Sequence, residues 1–376
     1  MLTPGARPTA TRAMLVLAVL ILAGCAARPG PGILQPVALA ETGARSVTVY
    51  VATTRQEVAP GQGGFGTSRA SEMRFAEFEI SIPPGHLPGR IEWPQDIPDP
   101  QSSFVTIGQK RHSRASFERA VAEAQRGGGE TTVFVHGFNY SFQESLFRLA
   151  QIAADAEIEG VPVLFAWPSQ GQVTGYVADR EAATASRDGL ADLLILLARN
   201  ETEDQVMVFG HSLGGWLTNE AVRQLRLSGQ DTTIDRLRVI LAAPDIDVDV
   251  FSAQLEVIGP LSPPLLMLVA PDDRALSLSR ILGQDRQRAG ALSVDDPRVR
   301  AAAQRGHIQI VDISEIGATD GFNHDRYVNL AALYPQLSQS SRPGAGDNLR
   351  QAGAFIFRAV GATLSAPLVL LERAGG

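Results

Sequence analysis

A serine sits at the centre of Gly210-His211-Ser212-Leu213-Gly214, and the apolar run Val206-Met207-Val208-Phe209 leads directly into it. The pattern reads G-x-S-x-G between a β-rich stretch and a helical one, Trp216-Leu217-Thr218-Asn219-Glu220-Ala221-Val222. A strand, a sharp turn and a helix in that order lift a serine hydroxyl above the carboxyl edge of a sheet. There it can attack an acyl carbonyl. The flanking glycines serve the bend, because strand and helix can close on each other only where no Cβ intervenes. An ordinary glycine-rich turn could carry the same five residues; the strand before them and the helix after them favour the nucleophile.

A serine nucleophile needs a base, and the chain offers six histidines. His86 and His112 precede the regularly patterned part of the chain. His136 follows its first strand, a place that suits an oxyanion-binding loop. His211 lies inside the turn itself, with its side chain expected to point away from the base position. His307 precedes the last strand, at the wrong end of a parallel sheet. His324 follows that strand, at the edge where Ser212 emerges, and is the expected general base.

The acid must hold the second imidazole nitrogen. Asp272 and Asp273 follow the run Leu265 to Val269, whereas Asp245, Asp247 and Asp249 follow the strand before it. Asp273 is the favoured acid and Asp245 the alternative, and both residues also suit turns and helix caps. Capping stays open for Asp273, which directly precedes the helix-like Arg274-Ala275-Leu276. A metal role for the acidic loop is the weakest reading, and neither metal nor cofactor is expected. For the developing oxyanion, backbone N–H donors are expected from Leu213, after the nucleophile, and Phe138, in His136-Gly137-Phe138-Asn139. Trp167, Ser169 and Tyr176 could line the pocket. Residues 169–188 and 250–261 are where a lid could lie.

These groups require a particular scaffold. Thr131 to Val135, Val161 to Ala166, Gln205 to Phe209, Arg238 to Ala242, Leu265 to Val269 and Ile308 to Val311 are short apolar runs separated by helical stretches. That alternation predicts an α/β fold: a mostly parallel central sheet flanked by helices. Ser141 and Glu144 form a capping-box pattern opening a helix through Ala156. Val47 to Val51 and Phe75 to Ile82 are further strand candidates. Residues 43–110 thus read as an N-terminal β extension wrapped on the sheet, within a domain spanning 43–337. Residues 338–376 are a polar linker and an apolar tail, broken by Arg358, Gly361 and Pro367. The tail is expected either to pack on the body or to lie at a membrane interface.

The chain has 376 residues, 44% of them hydrophobic, enough for one large domain. Its net charge of −7, from 33 basic and 40 acidic residues with no basic block, argues against nucleic acid as a partner. The N-terminus reads as an address. Arg7 and Arg12 precede the apolar stretch Met14 to Ala23, which is too short to span a bilayer as a helix. Leu22-Ala23-Gly24-Cys25 then resembles a bacterial lipobox, in which the cysteine becomes the lipidated first residue. Cys25 is the only cysteine, so it has no partner for an internal disulfide. The expected division is a signal peptide over 1–24 and a lipidated, Pro/Gly-rich tether over 25–42. Ala26 after the cysteine resembles the outer-membrane pattern, which implies a cell-envelope location facing the periplasm.

Taken together, the motifs resemble the bacterial α/β-hydrolases once grouped as a domain of unknown function, which are esterase- or lipase-like serine hydrolases. The resemblance runs from about Val47 to Leu337. It is carried by Val49-Tyr50-Val51-Ala52-Thr53-Thr54-Arg55, Ile82-Pro83, Gly89-Arg90-Ile91-Glu92 and Val135-His136-Gly137-Phe138-Asn139. Phe165-Ala166-Trp167-Pro168-Ser169, the serine motif, Ala243-Pro244-Asp245-Ile246-Asp247, Asp273-Arg274-Ala275-Leu276 and His324 complete it. Ala270-Pro271-Asp272 departs from the more polar turn expected before the acid. The resemblance implies an α/β-hydrolase fold, a Ser212–Asp273–His324 triad, no cofactor and a small-molecule or lipid-like ester substrate. An acyltransferase, a peptidase or a non-catalytic envelope scaffold are the alternatives.

Overall fold

The computed structural model describes residues 28–38, 45–58, 64–95, 98–157, 160–199, 206–297 and 308–333. Cys25, the segment 1–24, His307 and the tail beyond 333 therefore lie outside the described residues. Nine strands form one sheet: β1 (Ser46–Glu57), β2 (Phe65–Ser81), β3 (Val105–His112), β4 (Glu130–Val135), β5 (Gly160–Ala166), β6 (Val206–His211), β7 (Leu237–Ala242), β8 (Leu265–Val269) and β9 (Ile308–Asp312). Their order is β3-β2-β1-β5-β4-β6-β7-β8-β9. β2 pairs antiparallel with both β1 and β3, and every other pairing is parallel.

The N-terminal strands do not wrap over the sheet as the sequence reading had it. They continue it sideways, with β1 joined to β5 from Tyr50–Val163 to Thr53–Ala166. β2 runs much further back than Phe75, because Phe65 and Arg69 pair with Glu57 and Arg55 of β1 across two register shifts. β3, polar and flanking the sheet, was not anticipated.

Among the described residues the α-helices are α1 (Arg114–Gln125), α2 (Phe142–Asp155), α3 (Tyr176–Ala198), α4 (Leu213–Leu227), α5 (Asp231–Ile234), α6 (Val248–Ile258), α7 (Arg274–Leu282) and α8 (Arg326–Ala332). Strand residues alternate between the two faces: Val133 and Val135 of β4 join one apolar cluster, Phe134 the other. On the first face lie Phe117 of α1, Leu190 and Leu194 of α3, Leu217 of α4 and Phe251 of α6. Phe142, Leu146 and Leu149 of α2, with Val328 and Leu330 of α8, cover the second. Each such Leu or Phe contributes about 1.5–3 kcal/mol of apolar burial. Because both faces are covered, the inner strands are apolar almost throughout.

α2 starts as its sequence requires. Ser141 Oγ accepts the Glu144 N–H at 3.3 Å, and the Glu144 carboxylate accepts the Ser141 N–H at 2.8 Å. The chain leaves β4 through α2 on one face to reach β5, and then returns through α3 on the other face to β6. β4 is thus the strand at which the order reverses. The crevice at its carboxyl end, between the loops after β4 and β6, is where open α/β sheets bind ligands. Among the described residues no helix is long and apolar enough to cross a membrane.

Candidate active site

Ser212 occupies the junction of β6 and α4 with φ 56° and ψ −120°, a conformation costing about 1–3 kcal/mol for a residue with a side chain. Its backbone is held from several sides. Its N–H donates to Ala242 O at 2.9 Å, and its carbonyl accepts from Gly215 N at 2.9 Å and Asp245 N at 3.1 Å. The glycines explain why the turn can form. A Cβ on Gly210 would lie 2.5 Å from Thr218 Oγ1, and one on Gly214 would lie 2.2 Å from Val135 O. Ala243 and Asn323 also take positive φ, 45° and 59°, so strain gathers in the loops around the serine.

His324 and Asp273 come together from separate loops. His324 Nδ1 lies 2.6 Å from Asp273 Oδ2, and the Asp273 side chain is fully buried. Asp273 also caps α7, its Oδ1 accepting the Leu276 N–H at 2.9 Å. The helix cap and the contact with His324 therefore use different oxygens of one carboxylate, so capping and a role as acid do not exclude each other. Burial opposes a charge on His324, but the Asp273 carboxylate, with Asp320 behind it, outweighs burial and raises the imidazole pKa. The neighbouring Asp272 is committed elsewhere, to both terminal nitrogens of Arg326 at 2.7 Å.

Asp245 does not reach His324 through any hydrogen bond among the described residues. Its carboxylate accepts Tyr176 Oη–H at 2.7 Å and Ser279 Oγ–H at 2.6 Å, and it faces the buried Arg288 Nε at 3.3 Å. Burial, with Asp245 adding to it, pushes the Tyr176 phenol up to about 12. The arrangement ties the start of α3 to α7 beside the serine.

His211 packs behind His324 rather than simply pointing away from it. Its ring centroid is 4.6 Å from that of His324 and 4.5 Å from that of Tyr327, and its Nε2 lies 3.3 Å from His324 O. Burial and the adjacent His324 hold its pKa well below the usual imidazole range, so it is neutral, with Nε2–H as donor.

The loop after β4 passes directly over the serine: a Cβ on Gly137 would sit 3.1 Å from Ser212 Cβ and 3.0 Å from His211 Nδ1. Phe138 follows, with its ring 5.3 Å from Tyr176 in an edge-on contact. Leu213, first residue of α4, has an N–H with no partner inside its helix. His136 is buried and stacks on Trp167 at 4.8 Å, while Trp167 Nε1–H donates to His136 O at 2.7 Å. Desolvation and Arg55 lower the His136 pKa to about 3, which keeps this ring neutral. Trp167 and Ser169, two of the three residues that could line the pocket, are fully buried, Trp167 packed against His136. Tyr176 alone of the three stands beside Phe138.

What holds this loop was not read from the sequence. Arg55, buried at the end of β1, donates to Tyr140 O at 3.0 Å and Ser169 O at 3.2 Å. Burial lowers its pKa to about 9, with Asp179 opposing the fall, so it stays charged at neutral pH. Asp179, also buried, accepts Ser169 Oγ–H at 2.6 Å, Gln170 N–H at 2.7 Å and Asn139 N–H at 3.3 Å. The available signal was a charged residue ending the apolar run Val49 to Thr54; its partner lies far away in sequence.

Against this geometry, comparison with known proteins gives one clear match. The family described as "Alpha/beta hydrolase of unknown function (DUF900)" matches residues 112–341. The chain belongs to this family. The chain is also similar to three solved structures at low identity. A putative hydrolase from Agrobacterium vitis S4 shares 11% identity, covering 84% of this chain and 98% of its own, with a TM-score of 0.31. An esterase from Pyrobaculum calidifontis shares 13%, covering 90% and 95%, with a TM-score of 0.30. One from a study of two Rhizomucor miehei esterases shares 14%, covering 95% and 97%, with a TM-score of 0.35. No curated protein matches the chain.

Proposed function

We propose that this α/β-hydrolase is a lipid-anchored serine hydrolase of the cell envelope that cleaves carboxylic esters through Ser212, His324 and Asp273. The observation that supports it best is the contact of His324 Nδ1 with Asp273 Oδ2 at 2.6 Å; Ser212, held at φ 56°, directly follows His211, whose ring packs on that of His324. His324 Nε2 takes the proton from Ser212 Oγ as the oxygen attacks the ester carbonyl carbon. Asp273 keeps Nδ1 protonated and stabilises the imidazolium.

The carbonyl oxygen becomes an oxyanion received by the N–H groups of Leu213 and Phe138, each such donor being worth about 2.7–4 kcal/mol in the transition state. Collapse of the tetrahedral intermediate breaks the ester C–O bond, and the imidazolium returns its proton to the leaving alkoxide. Water, deprotonated by His324, then attacks the acyl-enzyme and releases the acid with Ser212 restored. Lipidation at Cys25 would anchor the enzyme in the envelope.

Treatment with a fluorophosphonate, followed by mass spectrometry, tests the nucleophile. Labelling at Ser212 that is abolished by Ser212→Ala and strongly slowed by His324→Ala is the expected result. A folded protein that stays unlabelled overturns the reading.

A further inference from the structure

The residue three positions after Cys25 is fastened to the edge of the candidate site. Arg28 donates to Asn139 Oδ1 at 2.8 Å and Glu144 Oε1 at 2.8 Å. It also donates to the backbone carbonyls of Asn139 and Gly171. Asn139 directly follows Phe138 in the loop over the serine. Gln143 Nε2 donates to Pro29 O at 2.6 Å, so the chain is held at two consecutive residues. Three residues of fully extended chain reach about 11 Å. A lipid on Cys25 therefore enters a bilayer within that distance of the Arg28 backbone, next to the mouth of the site.

The surface there has the matching chemistry. Val173 and Val177 flank Tyr176 just beyond Gly171 and are mostly exposed. Across the 2.9 Å approach of Tyr176 Oη to Ser279 Oγ, α7 turns Leu278, Ile281 and Leu282 outward, and Phe322 stands two residues before His324. Each of these six apolar side chains is more than half exposed. Isolated exposed apolar residues are ordinary, but a set grouped around one cleft marks an interaction surface.

We propose that in the anchored protein this apolar rim rests on the bilayer, so that the Ser212 site faces the membrane and draws its ester from it. The inference rests on the anchoring and hydrolase readings above and adds an orientation to them. The short span between Cys25 and Arg28 selects a bilayer rather than a second copy of the chain as the occupant.

The test uses the full-length lipidated protein in phosphatidylethanolamine–phosphatidylglycerol vesicles, carrying a thiol-reactive fluorophore at Val177→Cys or at Leu227→Cys. Leu227 is exposed and closes α4, whose 15 residues set it about 22 Å from Ser212. Lipid carrying a headgroup quencher should therefore quench the Val177 probe several-fold more than the Leu227 probe. Val173→Ser with Val177→Ser should lower hydrolysis of a vesicle-embedded long-chain ester by about tenfold, through lost apolar contact. Hydrolysis of a soluble short-chain ester should stay unchanged.

Equal quenching of the two probes on a protein whose Cys25 is lipidated overturns the orientation. So does quenching of the Val177 probe by a second protein copy instead of by lipid. An unmodified Cys25, seen by mass spectrometry of the same sample, overturns it by removing the anchor. Failure of the hydrolase reading appears separately, as absent fluorophosphonate labelling with the quenching pattern intact.

Discussion

His211 supports His324 from behind: the rings lie 4.6 Å apart, and His211 Nε2–H reaches the His324 carbonyl at 3.3 Å. Among the described residues, Nδ1 of the same ring is buried without a hydrogen-bond partner. One residue thus helps place His324, the proposed base, while carrying a polar atom whose burial costs about 1–3 kcal/mol. His211→Phe keeps a flat ring, drops the orphan nitrogen and loses the bond. kcat/KM should fall by about three- to tenfold, the equivalent of one ordinary hydrogen bond, while Tm holds or rises. Thermal melts and ester kinetics on the same preparations check both, and a lower Tm with unchanged kinetics would sink the positioning role.

Asp273 can be split into its two jobs by two substitutions. Asn caps helices about as well as Asp, so Asp273→Asn should leave Tm nearly unchanged. It should nevertheless cut kcat by about 10⁴, as expected when the imidazole loses its orienting carboxylate. Asp273→Ala loses the cap as well and should cost about 1 kcal/mol more in stability. Asp245→Asn should behave in the opposite way. It leaves Arg288 buried without its charge partner, a loss of about 3–5 kcal/mol. Equal catalytic losses from Asp245→Asn and Asp273→Asn, in proteins of equal stability, would contradict this assignment.

The sheet's parallel half was legible because β4 to β8 are short apolar runs buried on both faces, and β9, half-buried beyond Ile308, keeps the same apolar character. The loop carrying Ser212 announced itself through glycines that geometry demands: Gly210 and Gly214 each touch another part of the backbone or Thr218. The N-terminal strands were harder to read. Residues 65–74 of β2 and most of β3 are polar and partly exposed, so the alternation that marks a half-buried strand is faint. That Asp273 and not Asp245 contacts His324 could be seen only in three dimensions, since the two follow adjacent strands and both are buried. The Arg55–Asp179 framework was invisible for a related reason: a buried charge is recognised by its partners, and these come from loops after β4 and β5.

The elevated pKa of His324 has a direct kinetic consequence. As the proposed base, His324 works only when neutral, so activity should fall as pH drops through the imidazole pKa. Burial alone would lower that pKa, but Asp273 and Asp320 raise it above the ordinary value, about 6.5. The acid limb of kcat/KM should therefore lie above pH 6.5, and Asp320→Asn, which removes one nearby negative charge, should move it down. Initial rates on an ester that does not itself ionise, taken from pH 5 to 9, measure both. A wild-type limb at or below 6.5 would mean that the carboxylates do not act on the working base.

A second histidine predicts a pH dependence of folding rather than of rate. His86 Nε2 lies 2.6 Å from Asp155 Oδ1, and Nδ1 lies 2.7 Å from Glu92 Oε2. A carboxylate on each ring nitrogen calls for the imidazolium, since only that form donates from both. Burial opposes the charge, yet the two carboxylates raise the pKa. The other Asp155 oxygen holds Gly89 N–H and the Gln151 side-chain amide, so the cluster joins the segment after β2 to α2. A folded pKa above the unfolded value of about 6.5 gives a stabilisation fully present below that pH. It fades as pH rises through the folded value. The Tm gap between wild type and His86→Gln should therefore be widest near pH 6 and should narrow towards pH 9. A gap that does not change with pH would mean that His86 acts as a neutral packing group and that Asp155 and Glu92 are satisfied without its charge.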